Sequence, residues 1–225
     1  MDNPFFVRAL LFDMDGTLVD STPVVEKAWS RWAARYGFNP SDVTNFAHGR
    51  PTADFVRNFL PQVDAVAEAA TLLAEEELDP TPINGIPGAL EVVRLADRYA
   101  KWAVVTSASR TLAFLRLKLG GLPEPPLLIS ADDITRGKPD PEGFRKAAKL
   151  LNVLPEECLV FEDTPAGLEA GRAAGARVIG LSTTFAAAAL PAEIVLPDLT
   201  YVTMEPAPNT GLYVSVHTLD VAVVE

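Results

Sequence analysis

Short, nearly continuous apolar runs recur along the chain, at Phe5–Phe12, Trp102–Thr106, Leu127–Ile129, Leu159–Phe161 and Val178–Leu181. Runs of this length read as strands buried on both faces. Segments with helical spacing separate the later ones, so the pattern predicts an α/β fold with a mostly parallel sheet covered by helices on both sides. In such sheets ligands bind beyond the carboxyl ends of the strands. Polar residues collect at those ends: Asp13 after the first run, Thr106 and Ser107 after the second, Glu162 and Asp163 after the fourth.

From about Ser21 to Glu77 the rhythm breaks, and helical patterns follow one another without a strand. This predicts a helical unit inserted after the first strand. Its first helix is marked by Thr22 as N-cap, Pro23 at the first helical position, Val25, Trp29, Trp32 and Tyr36 on one face, and Gly37 at the end. A last helix over about Gln62 to Leu78 is predicted to bury Val63, Val66, Ala70 and Leu73. The Pro- and Gly-rich stretch from Pro80 to Gly88 reads as the return linker. Near the end, Glu205 to Gly211 reads as a loop, and Tyr213–His217 with Val221–Val224 as a hairpin.

Composition narrows the function. The 225 residues carry 19 Lys and Arg against 30 Asp and Glu, a net charge of −11. Such a surface repels nucleic-acid phosphates and anionic lipid, which argues against both partners. No apolar run approaches the length of a bilayer span. A single cysteine, Cys158, and a start without signal-peptide character point to a cytoplasmic protein, expected as a monomer or weak homodimer.

The richest stretch runs from Leu10 to Ser21, where a buried strand delivers Asp13 and Asp15 to its end and Gly16 lets the chain turn with its amides open to an anion. Alone, Asp-x-Asp-Gly reads equally well as a solvated turn. Three further strand ends add to it: Thr106-Ser107-Ala108-Ser109, Gly137-Lys138-Pro139-Asp140 before a helix, and Glu162-Asp163-Thr164-Pro165. Each has a bland reading as a cap or a solvated charge, but four coincident signals at one sheet edge point to a phosphate and a metal handled together.

In these motifs the chain resembles the haloacid dehalogenase (HAD) superfamily hydrolases, in the phosphatase branch with a small helical cap. The similarity extends to phosphatases of glycerol phosphate and 2-deoxyglucose 6-phosphate. The resemblance implies a Rossmann-like (HAD-like) core over residues 1–19 and 85–204, a helical cap over 20–84, and a C-terminal tail over 205–225. It implies Asp13 as the nucleophile that becomes an aspartyl-phosphate and Asp15 as the general acid/base. Thr106 and Lys138 would hold the phosphoryl group, with Gly16 and Ser107 as phosphate-binding positions. Mg2+ would be ligated by Asp13, Asp15 through its carbonyl, Asp163 and Glu162. Hard oxygen ligands suit Mg2+, whose charge offsets the repulsion between a carboxylate and a phosphate monoester.

The loop Phe46 to Thr52 carries His48 and Arg50, which the resemblance places toward the leaving group; either also reads as an ordinary loop residue. The expected substrate is a small phosphorylated metabolite. A β-phosphoglucomutase-like mutase is the nearest alternative, opposed by Thr17. A phosphoacceptor signalling module is the non-enzymatic one, opposed by the inserted helices.

Overall fold

The computed structural model describes residues 4–47, 52–79, 81–208 and 210–217. The first apolar run does not form one strand. It breaks at Arg8 into β1 (Phe5–Val7) and β2 (Ala9–Phe12), because the two halves join different sheets. Strand β2 enters a parallel sheet with β5 (Lys101–Val105), β6 (Leu128–Ile129), β7 (Cys158–Glu162), β8 (Arg177–Leu181) and β9 (Val195–Leu196), in the order β6-β5-β2-β7-β8-β9. From β2 the chain builds first toward β5 and β6 and then returns to the other side. The point of reversal therefore lies beside β2, where open parallel sheets bind ligands.

Alternation along β2 divides the core between two faces. Leu10 and Phe12 pack with α5 (Ala89–Tyr99) and α6 (Arg110–Leu119), whereas Ala9 and Leu11 pack with α7 (Glu142–Leu151) and α8 (Pro165–Ala174). Phe12 stacks on Phe161 of the neighbouring strand, with ring centroids 5.4 Å apart. This is the predicted α/β architecture with a parallel sheet sandwiched between helices.

Two short antiparallel strands, β3 (Val19–Asp20) and β4 (Asn84–Gly85), frame the departure into the helical segment and the return from it. Between them lie α1 (Thr22–Tyr36), α2 (Pro40–Ala47), α3 (Thr52–Phe59) and α4 (Ala65–Glu77). They share a separate apolar cluster built on Trp29, Trp32, Phe55 and Leu72. Trp32 is fully buried and meets Phe55 edge-to-face at 5.3 Å, while its indole N–H donates to Glu68 at 2.9 Å. Helix α1 ends at Gly37 in the left-handed region (φ 74°), as predicted.

Two details of these helices differ from the sequence reading. Ser21 rather than Thr22 occupies the N-cap of α1, and the Thr22 amide is satisfied by the Asp20 carboxylate at 3.1 Å. Helix α4 starts later than expected and buries Ala65, Ala69, Leu72 and Glu76, leaving Val66 68% exposed and Ala70 on the solvent side. The Asp64 side chain accepts from the amides of Val66 and Ala67 and thereby sets where the helix begins, and with it the phase of its faces. In an Ala-rich run the apolar pattern alone leaves that phase weakly defined.

The C-terminal hairpin also forms earlier than expected. Its strands are β10 (Val202–Pro206) and β11 (Leu212–Val216), so Glu205 and Pro206 belong to a strand, while Val221–Val224 lies outside the described residues. Strand β11 pairs antiparallel with β1, Phe5 opposite Val214, which ties the end of the chain to its beginning. Leu212, Val214 and Val216 point into the core on the α5 side. Among the described residues no helix is long and apolar enough to cross a membrane.

Replacing the buried indole of the helical segment, Trp32→Ala, should cost about 3–5 kcal/mol. The loss should appear in denaturant unfolding, and as faster amide exchange in α1 and α3 than in β2 and β7; uniform loss of protection would contradict a separate helical core.

Candidate active site

Strands β2 and β7 run parallel in a register that sets Phe12 beside Phe161. Asp13, just beyond β2, and Glu162 with Asp163, at and just beyond the end of β7, are thereby forced together. Each of the three has a carboxylate oxygen within 4.8 Å of the others, and all are buried. The turn after Asp13 is closed by the Gly16 amide donating to the Val19 carbonyl at 2.8 Å, with Gly16 at φ 78°. A Cβ at Gly16 would sit 2.1 Å from Asp163 Oδ2, so glycine is required here both by conformation and by space. The Thr17 hydroxyl donates to Asp163 at 3.3 Å.

Lys138, in the segment leading to α7, inserts its ammonium between two of these acids. It bonds Asp13 Oδ1 and lies 2.6 Å from Glu162 Oε1. The other Glu162 oxygen accepts from the amide and hydroxyl of Thr164, at 2.7 and 2.9 Å, at the N-terminus of α8. Gly167 makes room for it, since a Cβ there would fall 1.7 Å from Glu162 Oε1. Both Glu162 oxygens are thus engaged, whereas Asp13 meets Lys138 through Oδ1 and Asp163 accepts from Thr17. The donor set of hard, closely spaced oxygens fits a small divalent ion.

Burial pushes the Asp13 carboxyl up to about 7 against the opposing pull of Lys138. Burial, reinforced by Glu162 and Asp13, holds Asp163 well above the ordinary carboxylate range. The same two acids, Asp13 and Glu162, hold the Lys138 ammonium protonated despite its own burial.

On the opposite side of Asp13 stands the end of β5. Thr106 is buried, with its hydroxyl accepting from the Ala108 amide at 3.1 Å, and Ser107 lines an open chamber of about 200 Å³ that Asp163, of the three acids, also lines. Asp15 faces the same chamber, but its side chain turns away from the three acids and pairs with Arg116 of α6 at 2.8 Å. Arg116 also holds Glu76 of α4 at 2.5 Å. Burial pushes the Glu76 carboxyl up to about 7, against Arg116.

The structure therefore brings Asp13, Asp15, Gly16, Thr106, Ser107, Lys138, Glu162 and Asp163 to one sheet edge. His48 and Arg50 lie outside the described residues, and Ala47 and Thr52 on either side of them line the chamber. Arg116 and Glu76 were missed by the sequence reading. Arg116 falls on the buried face of α6 with Leu112, Ala113 and Leu117, and a charge at such a position was the available signal. Glu76 was hidden by the misjudged phase of α4.

The model of the haloacid dehalogenase-like hydrolases matches residues 7–175. The chain belongs to this family. Among its relatives, hexitol phosphatase A of Escherichia coli is 39% identical over 207 residues, covering 90% of this chain and 96% of that protein. The 2-deoxyglucose-6-phosphate phosphatase 1 of Saccharomyces cerevisiae is 33% identical over 239 residues, covering 95% and 96%. A crystal structure of a HAD hydrolase from Entamoeba histolytica superposes with a TM-score of 0.77 at 25% identity, covering 87% of this chain and 95% of that one. The HAD-like fold expected from the motifs is thus the fold of this chain.

The raised Asp13 and Asp163 carboxyls give the site a defined pH response. Folded-state values above the unfolded ones contribute stability below about pH 4 that is lost as pH rises through about 7, where ionised acids repel one another. A divalent cation competes with those protons. It should raise the melting temperature by a few degrees at about pH 8 and by less at about pH 5.5. Equal shifts at both values, measured by calorimetry, would remove the cluster as the cation site.

Proposed function

We propose that this HAD hydrolase is a Mg2+-dependent phosphatase of a small sugar or polyol phosphate, working through an aspartyl-phosphate on Asp13. The observation that carries the reading is the buried contact of Lys138 with Asp13 beside Asp163, at the sheet edge where β2 meets the chamber. Mg2+ held by Asp13, Asp163 and the Asp15 carbonyl would supply the positive charge that lets a carboxylate approach an anionic ester.

This chain's residues account for the remaining steps. Lys138 and the Thr106 hydroxyl hold the phosphoryl oxygens, and the Gly16 and Ser107 segments surround them. An Asp13 oxygen bonds to phosphorus as the ester P–O bond breaks, and Asp15 delivers a proton to the departing alkoxide. Asp15 then takes a proton from the water that attacks phosphorus, the Asp13–phosphate bond breaks, and inorganic phosphate leaves. Glu162 serves by orienting Lys138 rather than by touching substrate.

Residues 20–84 act in this proposal as the cap over a core of 1–19 and 85–204, with His48 and Arg50 as its candidate substrate-selecting residues. The chamber favours a compact and uncharged leaving group. Among the described residues, the guanidinium that lines it, that of Arg116, is already shared by two carboxylates, so the described lining offers a second phosphate Asp15 and Glu76 but no unengaged cation. That disfavours the bisphosphate handled by a mutase and suits a polyol. The names of the two relatives above, a hexitol and a deoxyglucose-phosphate phosphatase, support the same class.

Phosphate release with Mg2+ should be fastest on hexitol, glycerol and hexose monophosphates in a panel that includes nucleotides. Asp13→Asn should reduce it to background while leaving the melting profile that of a folded protein. Net isomerisation of β-glucose 1-phosphate without phosphate release, or full activity in Asp13→Asn, would overturn the proposal.

A further inference from the structure

Arg116 is an arginine at an apolar position of a core helix. It is 5% exposed, yet it lines the chamber, and its guanidinium reaches in two directions. Nη1 pairs with Oδ2 of Asp15, on the core, at 2.8 Å, and Nη2 with Oε2 of Glu76, on the helical segment, at 2.5 Å. Glu76 is equally buried. Arg116 and Glu76 are buried while the Asp15 side chain is 30% exposed, and charges at the depth of the first two require near-complete pairing, because an isolated one there costs several kcal/mol. Pairing is nevertheless incomplete: Oδ1 of Asp15 and Nε of Arg116 are buried without a hydrogen-bond partner among the described residues. The planar guanidinium fixes direction as well as charge, so the Asp15 carboxylate is clamped through Oδ2 in one orientation.

We propose that Arg116 is a positioning residue for Asp15, and that Glu76 makes this positioning depend on the helical segment being seated on the core. The inference rests on the reading of Asp15 as the general acid/base. Arg116 holds the Asp15 carboxylate at Oδ2 and so orients it to carry the proton to the leaving-group oxygen while the P–O ester bond breaks and the Asp13–phosphorus bond forms. The same carboxylate then receives a proton from water in the second half-reaction. Glu76 reaches the far side of the guanidinium from the end of α4 and draws it toward the seam. When the helical segment lifts away, Arg116 loses one of its two anchors, and proton transfer loses its geometry.

The test compares leaving groups. Glycerol 1-phosphate needs a proton delivered to its alkoxide; p-nitrophenyl phosphate does not, because nitrophenolate leaves as an anion. In Arg116→Met, kcat on glycerol 1-phosphate should fall at least about tenfold with KM changed less than about twofold. Single-turnover release of nitrophenolate should stay within about threefold of the parent, followed by slow turnover as the second proton transfer fails, which appears as a burst approaching one equivalent. Arg116→Lys, which keeps the charge but not the fork, should fall between the two. Glu76→Gln should show the same leaving-group dependence with a smaller loss, and it carries the test if Arg116→Met does not fold. Parallel losses on both esters in single turnover, or parent-like kcat on glycerol 1-phosphate, would overturn the inference. Asp15→Asn separates it from the reading beneath it: if that variant keeps full activity the reading falls, and if it is inactive while Arg116→Met is parent-like only the inference falls.

Discussion

The site depends on one ammonium group placed among acids. Asp13, Glu162 and Asp163 are buried and crowded at the ends of two adjacent strands, and a cluster of that charge would not persist in a protein interior without an opposing one. Lys138 answers two of the three directly. The N-terminus of α8, through Thr164, answers the second oxygen of Glu162. Three carboxylates against one ammonium leave the cluster net negative, an excess that would favour a divalent cation. Burial first, with the neighbouring acids adding to it, raises the Asp13 and Asp163 carboxyls.

Much of the surrounding structure serves that arrangement. The parallel register of β2 and β7 sets the acids side by side, and the stacked Phe12 and Phe161 rings lock the register from within the core. Gly16 and Gly167 are the two places where backbone must come so close to a carboxylate that no side chain fits. Thr17 and Thr164 hold the carboxylates from outside the cluster. Arg116 carries the logic across the seam: it links Asp15 of the core with Glu76 of the helical segment, so the two units share one cation.

The contrast between Asp13 and Glu76 explains what could be read from the chain. Asp13 follows an unbroken apolar run and precedes Asp-Gly, so its place at a strand end and its chemistry are both local properties. Lys138, Thr106 and Asp163 were legible for the same reason, each lying directly after or before a well-marked element. Glu76 lies in an Ala-rich helix whose phase is set by the Asp64 cap, and the competing phase through Val66 and Leu73 looked as apolar. Arg116 was visible as a charge on the buried face of α6, but its partners are 101 and 40 positions away in the chain. The division of Phe5–Phe12 into two strands was equally non-local, because β1 pairs with β11 at the far end of the molecule.

By itself the sequence determined the parallel α/β core, the helical insertion, and the set of acids, hydroxyl and lysine at the strand ends. These follow from apolar period and turn chemistry, which act over a few neighbouring residues. Only the tertiary structure decided which of those acids Lys138 and Thr164 engage, where the last hairpin begins, and that Asp15 shares Arg116 with Glu76. Those outcomes depend on strand register, on helix phase and on distances between residues far apart in the chain, and each is settled by burial and charge pairing that exist only once the elements have packed.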